Sequence, residues 1–108
     1  MVVNVTAQRA SEMIRAGEVA VIDVRPVAEW ERGHVPGARQ LALDEIRANP
    51  RALPSEGVLF VCAGGVRSQT AARIASEQGV QRVYSLIGGT LSWTKAGFPL
   101  AVPLDVAV

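Results

Sequence analysis

Three short stretches of the chain are almost wholly apolar: Val19-Ala20-Val21-Ile22, Val58-Leu59-Phe60-Val61 and Val83-Tyr84-Ser85-Leu86. They lack the polar alternation of a half-solvated strand, so the pattern predicts strands covered on both faces, as in a parallel sheet. Weaker strands are expected at Val2–Val5 and over residues 40–42. Between them the spacing turns helical. Thr6 is placed to cap a helix over 7–16, with Gly17 to end it. One helical turn is expected over 28–32, and a helix over 43–49 stopped by Pro50. The clearest helix spans 68–78, with Ala71, Ala72, Ile74 and Ala75 as a small-residue face and Gly79 just past its end. A last helix over 90–96 is closed by Gly97. Strands alternating with helices predict an α/β fold of three layers, a central, mostly parallel sheet flanked by helices and joined by right-handed crossovers.

Composition narrows this picture. The 108 residues fit a single domain over 1–108, and the 49% of apolar residues suffice for a real core. The net charge is +1, from ten arginines and Lys95 against ten acids, and the charges are scattered. No basic run points to nucleic acid or a membrane surface. No apolar stretch approaches the roughly 20 residues needed to cross a bilayer. Residues 1–6 lack a basic region followed by a long apolar one, so no signal peptide is expected. One cysteine excludes an internal disulfide, and together with one histidine it argues against a protein zinc site. A lone thiol is best kept reduced, which favours the cytoplasm. The chain shows no internal repeat.

Candidate chemistry concentrates in Val61-Cys62-Ala63-Gly64-Gly65-Val66-Arg67-Ser68. A buried strand ends at Cys62 and the clearest helix starts near Ser68. In open α/β sheets, ligands bind at such carboxyl ends of strands. Gly64 and Gly65 permit backbone angles that other residues resist. The amides of 63–68 can then turn inward as a nest for an anion, with the positive end of the helix behind them. A nest of this kind lowers the pKa of Cys62 and makes it a nucleophile and a good leaving group. Arg67 and Ser68 add a fixed positive charge and a hydroxyl donor. A lone cysteine in an apolar stretch is more often an inert core residue. The position of Cys62, at a strand end before a glycine loop and a helix start, favours the reactive reading. Arg67 is open to two roles, direct ligand contact or pairing with an acid such as Asp23 or Glu29, and both can hold together.

The loop Cys62 to Ser68 resembles the active-site loop of the rhodanese family of sulfurtransferases, a cysteine followed at a fixed distance by arginine and serine. Two further stretches resemble that family. Asp23-Val24-Arg25, Glu29-Trp30 and Gly33-His34-Val35-Pro36-Gly37-Ala38 are similar to its N-terminal pattern. Leu86-Ile87-Gly88-Gly89, Trp93 and Ala96-Gly97-Phe98-Pro99 are similar to its C-terminal pattern. The resemblance covers about residues 4–100 and leaves an apolar tail, 101–108. It implies a rhodanese-like domain and a ping-pong cycle. Cys62 would take the outer sulfur of a small anionic donor such as thiosulfate and release sulfite. The Cys62 persulfide would lie among the amides of Ala63, Gly64, Gly65, Val66, Arg67 and Ser68. A thiophilic acceptor, cyanide in assays and a thiol or sulfur-carrier protein in cells, would then remove the sulfur. No metal or organic cofactor is implied, and a monomer is expected.

The supporting residues are read mainly as structure. Asp23 can accept backbone hydrogen bonds after its strand. Arg25 can pair with an acid or border the pocket. His34, the only histidine, is read as a turn residue in preference to a general base, since a low-pKa thiolate needs none. Trp30 and Trp93 are read as core or pocket walls, and Gly88 and Gly89 as a turn beside the loop. One departure bears on the substrate. Thiosulfate specialists of the family carry basic residues early in the loop, where this chain has Ala63 and Gly64, so thiosulfate is expected to be a poor surrogate donor. The competing readings are a sulfur-relay or docking module for a partner protein, and a phosphatase or arsenate reductase relative. Only four residues separate Cys62 from Arg67, a compact ring for phosphate, and the chain has no second thiol to resolve an arsenate adduct.

Overall fold

In a computed structural model, which describes residues 1–103, the chain runs β1 (Val2–Val5), α1 (Ala7–Arg15), β2 (Ala20–Asp23), α2 (Val27–Glu31), β3 (Arg39–Gln40) and α3 (Leu43–Ala48). A short 3-10 turn (Pro50–Ala52), β4 (Glu56–Val61), α4 (Val66–Glu77), β5 (Gln81–Leu86) and α5 (Gly89–Lys95) follow. The strands form one sheet in the order β1-β5-β4-β2-β3, and every pairing between them is parallel. The most apolar run, β4, is therefore the middle strand. Its residues 58–61 are wholly buried, which explains why the stretch does not alternate.

Alternation survives in which layer each β4 side chain enters. Val58, Phe60 and Cys62 join Ile46, Ala71, Ala72 and Ala75 on the face covered by α3 and α4. Leu59 and Val61 join Ala10, Met13 and Trp93 on the face covered by α1 and α5. The alanines of α4 have no exposed surface. Their small side chains bring the helix close to the bulkier Val58 and Phe60, large against small as dense packing requires. Full burial of a side chain such as Phe60 stabilises the fold by about 1.5–3 kcal/mol.

Element boundaries shift where local chemistry outweighs apolar pattern. α1 starts as expected, with the Arg9 amide donating to Thr6 Oγ1 at 3.1 Å. α4 begins at Val66, two residues before the expected start, because Gly65 at φ +100° turns the chain straight into the helix. β2 begins one residue later than the apolar run, and β3 shrinks to Arg39–Gln40. The 3-10 turn was not expected; Pro50 ends α3 and also starts this turn, since its fixed φ suits the first position of a helical turn. β1 lies at an edge, and Val3 remains 44% exposed. Of the apolar tail, Ala101 pairs antiparallel with His34, its amide donating to the His34 carbonyl at 2.8 Å and its carbonyl accepting from His34 at 2.9 Å. Residues 104–108 lie outside the described residues.

Candidate active site

Parallel strands all present their carboxyl ends to one edge of the sheet, and the loops after β2, β4 and β5 meet there. Cys62 directly follows β4 and is 1% exposed. Gly65 donates its amide to Cys62 Sγ at 3.0 Å, and Ser68 donates its amide at 3.4 Å. The Ser68 hydroxyl stands 3.5 Å from the same sulfur. Ser85, wholly buried on β5, donates its hydroxyl to Ser68 Oγ at 2.9 Å. With Ser85 as the donor of that bond, the Ser68 hydroxyl keeps its own proton available to an ionised Sγ.

These donors have an electrostatic consequence. Burial alone pushes the Cys62 thiol up. The Ser68 hydroxyl and the amides of Ser68, Gly65 and Arg67 act against burial and prevail, so the pKa lies below that of an ordinary thiol. The sequence reading expected two glycines to shape the nest. Only Gly65 has a positive φ there; a Cβ on Gly64 would meet nothing within 4 Å. The other glycine that the site needs is Gly89, at φ +57°. A Cβ there would run into the carbonyls of Cys62 and Ala63. With Gly89 in place, Thr90 and Leu91 donate their amides to those carbonyls at 2.8 and 3.2 Å. The start of α5 thereby fixes the strand-to-loop transition from outside.

Arg67 makes a two-pronged ion pair with Glu29 of α2, Nη1 to Oε2 at 3.0 Å and Nη2 to Oε1 at 3.1 Å. The Arg67 hydrogen bonds hold the Glu29 carboxyl below its usual range against a weaker opposing effect of burial. The Glu29 carboxylate in turn raises the Arg67 pKa. Beside Arg67 lies a cleft of about 170 Å³ lined by Val24, Pro26, Ala42, Leu43 and Asp44.

Asp23 and Arg25 form a buried pair. Asp23 accepts the Arg25 amide at 3.0 Å and the Arg25 Nη2 at 2.7 Å, and Arg25 Nη2 also donates to the Gly33 carbonyl at 2.7 Å. This ties the end of β2 to the turn after α2. His34 and Trp30 stack with ring centroids 4.1 Å apart. His34 Nδ1 donates to the Trp30 carbonyl at 2.9 Å, and Trp30 Nε1 donates to the Ala38 carbonyl at 3.1 Å. These bonds stay within residues 30–38 and do not reach the Cys62 loop. Trp93 is buried in the core on the α1/α5 side. The site therefore gathers Cys62, Gly65, Arg67 and Ser68 around one sulfur and one ion pair, with Asp23, Arg25, Trp30 and His34 as the frame that carries Glu29. Sequence reasoning missed Ser85. The available signal was a serine inside the mostly buried run Val83-Tyr84-Ser85-Leu86.

Among the described residues, no group of three His, Cys, Asp or Glu side chains could hold a metal ion. No helix among them is long and apolar enough to cross a membrane.

Comparison with known proteins agrees with this fold. The rhodanese-like domain family model matches residues 6–96. A sulfurtransferase of Allochromatium vinosum is 31% identical over 105 residues, which covers 95% of this chain and 98% of the relative. The thiosulfate sulfurtransferase GlpE of Coxiella burnetii is 34% identical over 91 residues, covering 83% and 84%. Among solved structures, a rhodanese-related protein of Thermoplasma volcanium superposes with a TM-score of 0.84 at 26% identity, covering 93% of this chain and 98% of its own.

Proposed function

The chain belongs to the rhodanese-like domain family, and from that premise we propose that it is a sulfurtransferase carrying sulfane sulfur on Cys62 as a persulfide. The observation that carries this reading is the ring of donors on the sulfur, the Gly65 amide at 3.0 Å and the Ser68 amide and hydroxyl at 3.4 and 3.5 Å. In the first half-reaction the Cys62 thiolate attacks the outer sulfur of the donor. A new S–S bond forms, the donor's S–S bond breaks, and the inner group leaves with the electron pair. The lowered pKa of Cys62 enlarges its thiolate fraction and lessens the need for a general base. The persulfide carries its charge one atom further out, over the backbone of Ala63, Gly64, Gly65 and Val66. In the second half-reaction a thiolate or cyanide attacks the outer sulfur and the Cys62 thiolate leaves again. The acceptor in this reading is a thiol or a sulfur-carrier protein.

Intact mass spectrometry after exposure to a sulfane donor tests the proposal. The expected result is a gain of one sulfur atom on the protein, lost on adding a thiol acceptor, and no gain in Cys62→Ser. That variant is nearly isosteric, should keep the fold, and should lose transfer by at least about a thousandfold, since it removes the nucleophile. Absence of the adduct with every donor tried, or turnover by Cys62→Ser near that of the unaltered chain, refutes it. An adduct that forms but is discharged only by a protein acceptor would assign the chain to sulfur relay.

A further inference from the structure

Arg67 is the only cationic side chain between Cys62 and Ser68. Its charge is already offset, because each of its terminal nitrogens is bonded to one oxygen of Glu29. Asp44 lines the same cleft as Arg67 and adds a second carboxylate on that side. Arg25 is taken up by Asp23 and the Gly33 carbonyl. Arg32 also acts on Glu29 from a solvent-exposed position, where its charge is screened. The thiolate is thus stabilised by neutral amides and a hydroxyl, while the neighbouring side-chain charges cancel in pairs. The paired side chains therefore offer no net positive charge to a second negative charge on a donor.

The rim supplies the complementary preference. Val66, Ile87 and Leu91 are 78%, 49% and 66% exposed. All three border the loop. Val66 follows Gly65, Leu91 donates its amide to the Ala63 carbonyl, and Ile87 precedes Gly88, which packs on Gly65. An organic body attached to the sulfane sulfur and reaching these side chains would gain apolar contact.

We propose that Glu29, by neutralising Arg67, makes the site selective for singly charged sulfane donors carried on an organic body, R–S–S⁻, over dianionic thiosulfate. The proposal rests on the sulfurtransferase reading and specifies its substrate class. The step balances: the Cys62 thiolate and R–S–S⁻ give the Cys62 persulfide anion and the thiolate R–S⁻, with one S–S bond formed and one broken.

Benzenethiosulfonate and thiosulfate provide the test. Both deliver a terminal sulfane sulfur by S–S cleavage, but the first has one charge fewer and an apolar ring. The quantity measured is the second-order rate of Cys62 persulfide formation with each donor, and the readout is the ratio of the two rates. The unaltered chain should prefer benzenethiosulfonate. Glu29→Gln should lower that preference roughly tenfold by speeding thiosulfate, the size expected for removing one half-exposed charge near the site. Glu29→Asp, which keeps the charge, should retain the preference. A salt series on the unaltered chain supplies a variant-free measurement: raising ionic strength from about 0.02 M to about 0.5 M should narrow the preference by screening Asp44, while the paired charges of Glu29 and Arg67 are screened alike. If Glu29→Gln changes both rates alike, or leaves the ratio within about twofold, Glu29 is a structural clip and the proposal fails while sulfur transfer stands. If neither donor loads the unaltered chain, the sulfurtransferase reading fails, and this proposal with it.

Discussion

Two opposed effects act on the sulfur of Cys62. Burial favours the neutral thiol, and the donors of Gly65, Arg67 and Ser68 favour the thiolate, with the second effect larger. The rate of iodoacetamide alkylation against pH should therefore show a midpoint below that of an ordinary cysteine thiol. Ser85→Ala should move that midpoint upward, because the Ser68 hydroxyl loses the bond that orients its proton. The same shift has a sign in stability. A group whose folded pKa is lowered contributes stability above its unfolded pKa and loses that contribution as pH falls through the folded value. Stability from Cys62 should thus fade on acidification through the alkylation midpoint, and the Cys62→Ser variant should lack that part of the profile. Glu29 behaves likewise at lower pH, where protonating its carboxylate frees Arg67.

At the level of elements, the site is a junction: β4 supplies the sulfur, α4 the inward amides, and α5 the amides that hold the loop's carbonyls. Its tolerance to substitution should follow that division and not glycine content. Gly89 has a left-handed backbone and no room for a Cβ beside the carbonyls of Cys62 and Ala63. Gly89→Ala should cost more than about 1–3 kcal/mol, read as a large drop in melting temperature, since strain and a backbone clash add. Gly64 has open space and no left-handed requirement. Gly64→Ala should leave stability within about 1 kcal/mol and can raise it by stiffening the unfolded chain. Equal losses in the two variants would mean that the α5 contact does not hold the loop.

Across the whole molecule, the buried Asp23–Arg25 pair links the sheet to the segment that carries Glu29. With side chains only 0% and 8% exposed, the pair is costly to break on one side. Asp23→Asn should destabilise the fold by about 3–5 kcal/mol, because it leaves the Arg25 charge buried without its partner; a denaturant titration reads this directly. The chain's layout was largely legible beforehand. Continuous apolar runs mark strands buried on both faces, Thr6 and the glycines punctuate the helices, and Cys62 stands where a strand gives way to a loop. Those signals are local, because burial pattern and capping are decided by residues near in sequence. The partner of Arg67 was not legible. Sequence offered an acid such as Asp23 or Glu29, and only the packing of α2 against the β4–α4 loop chose Glu29. Nor could sequence show that Gly89 serves the loop more than Gly64 does, or that Ser85 orients Ser68. Each of these depends on strands and helices 17 to 38 residues apart meeting at one edge of the sheet. Sequence by itself determined the order of the strands and helices and singled out Cys62. The tertiary structure decided the charge around that residue, because charge pairing is settled by distances of a few ångströms that no linear spacing contains.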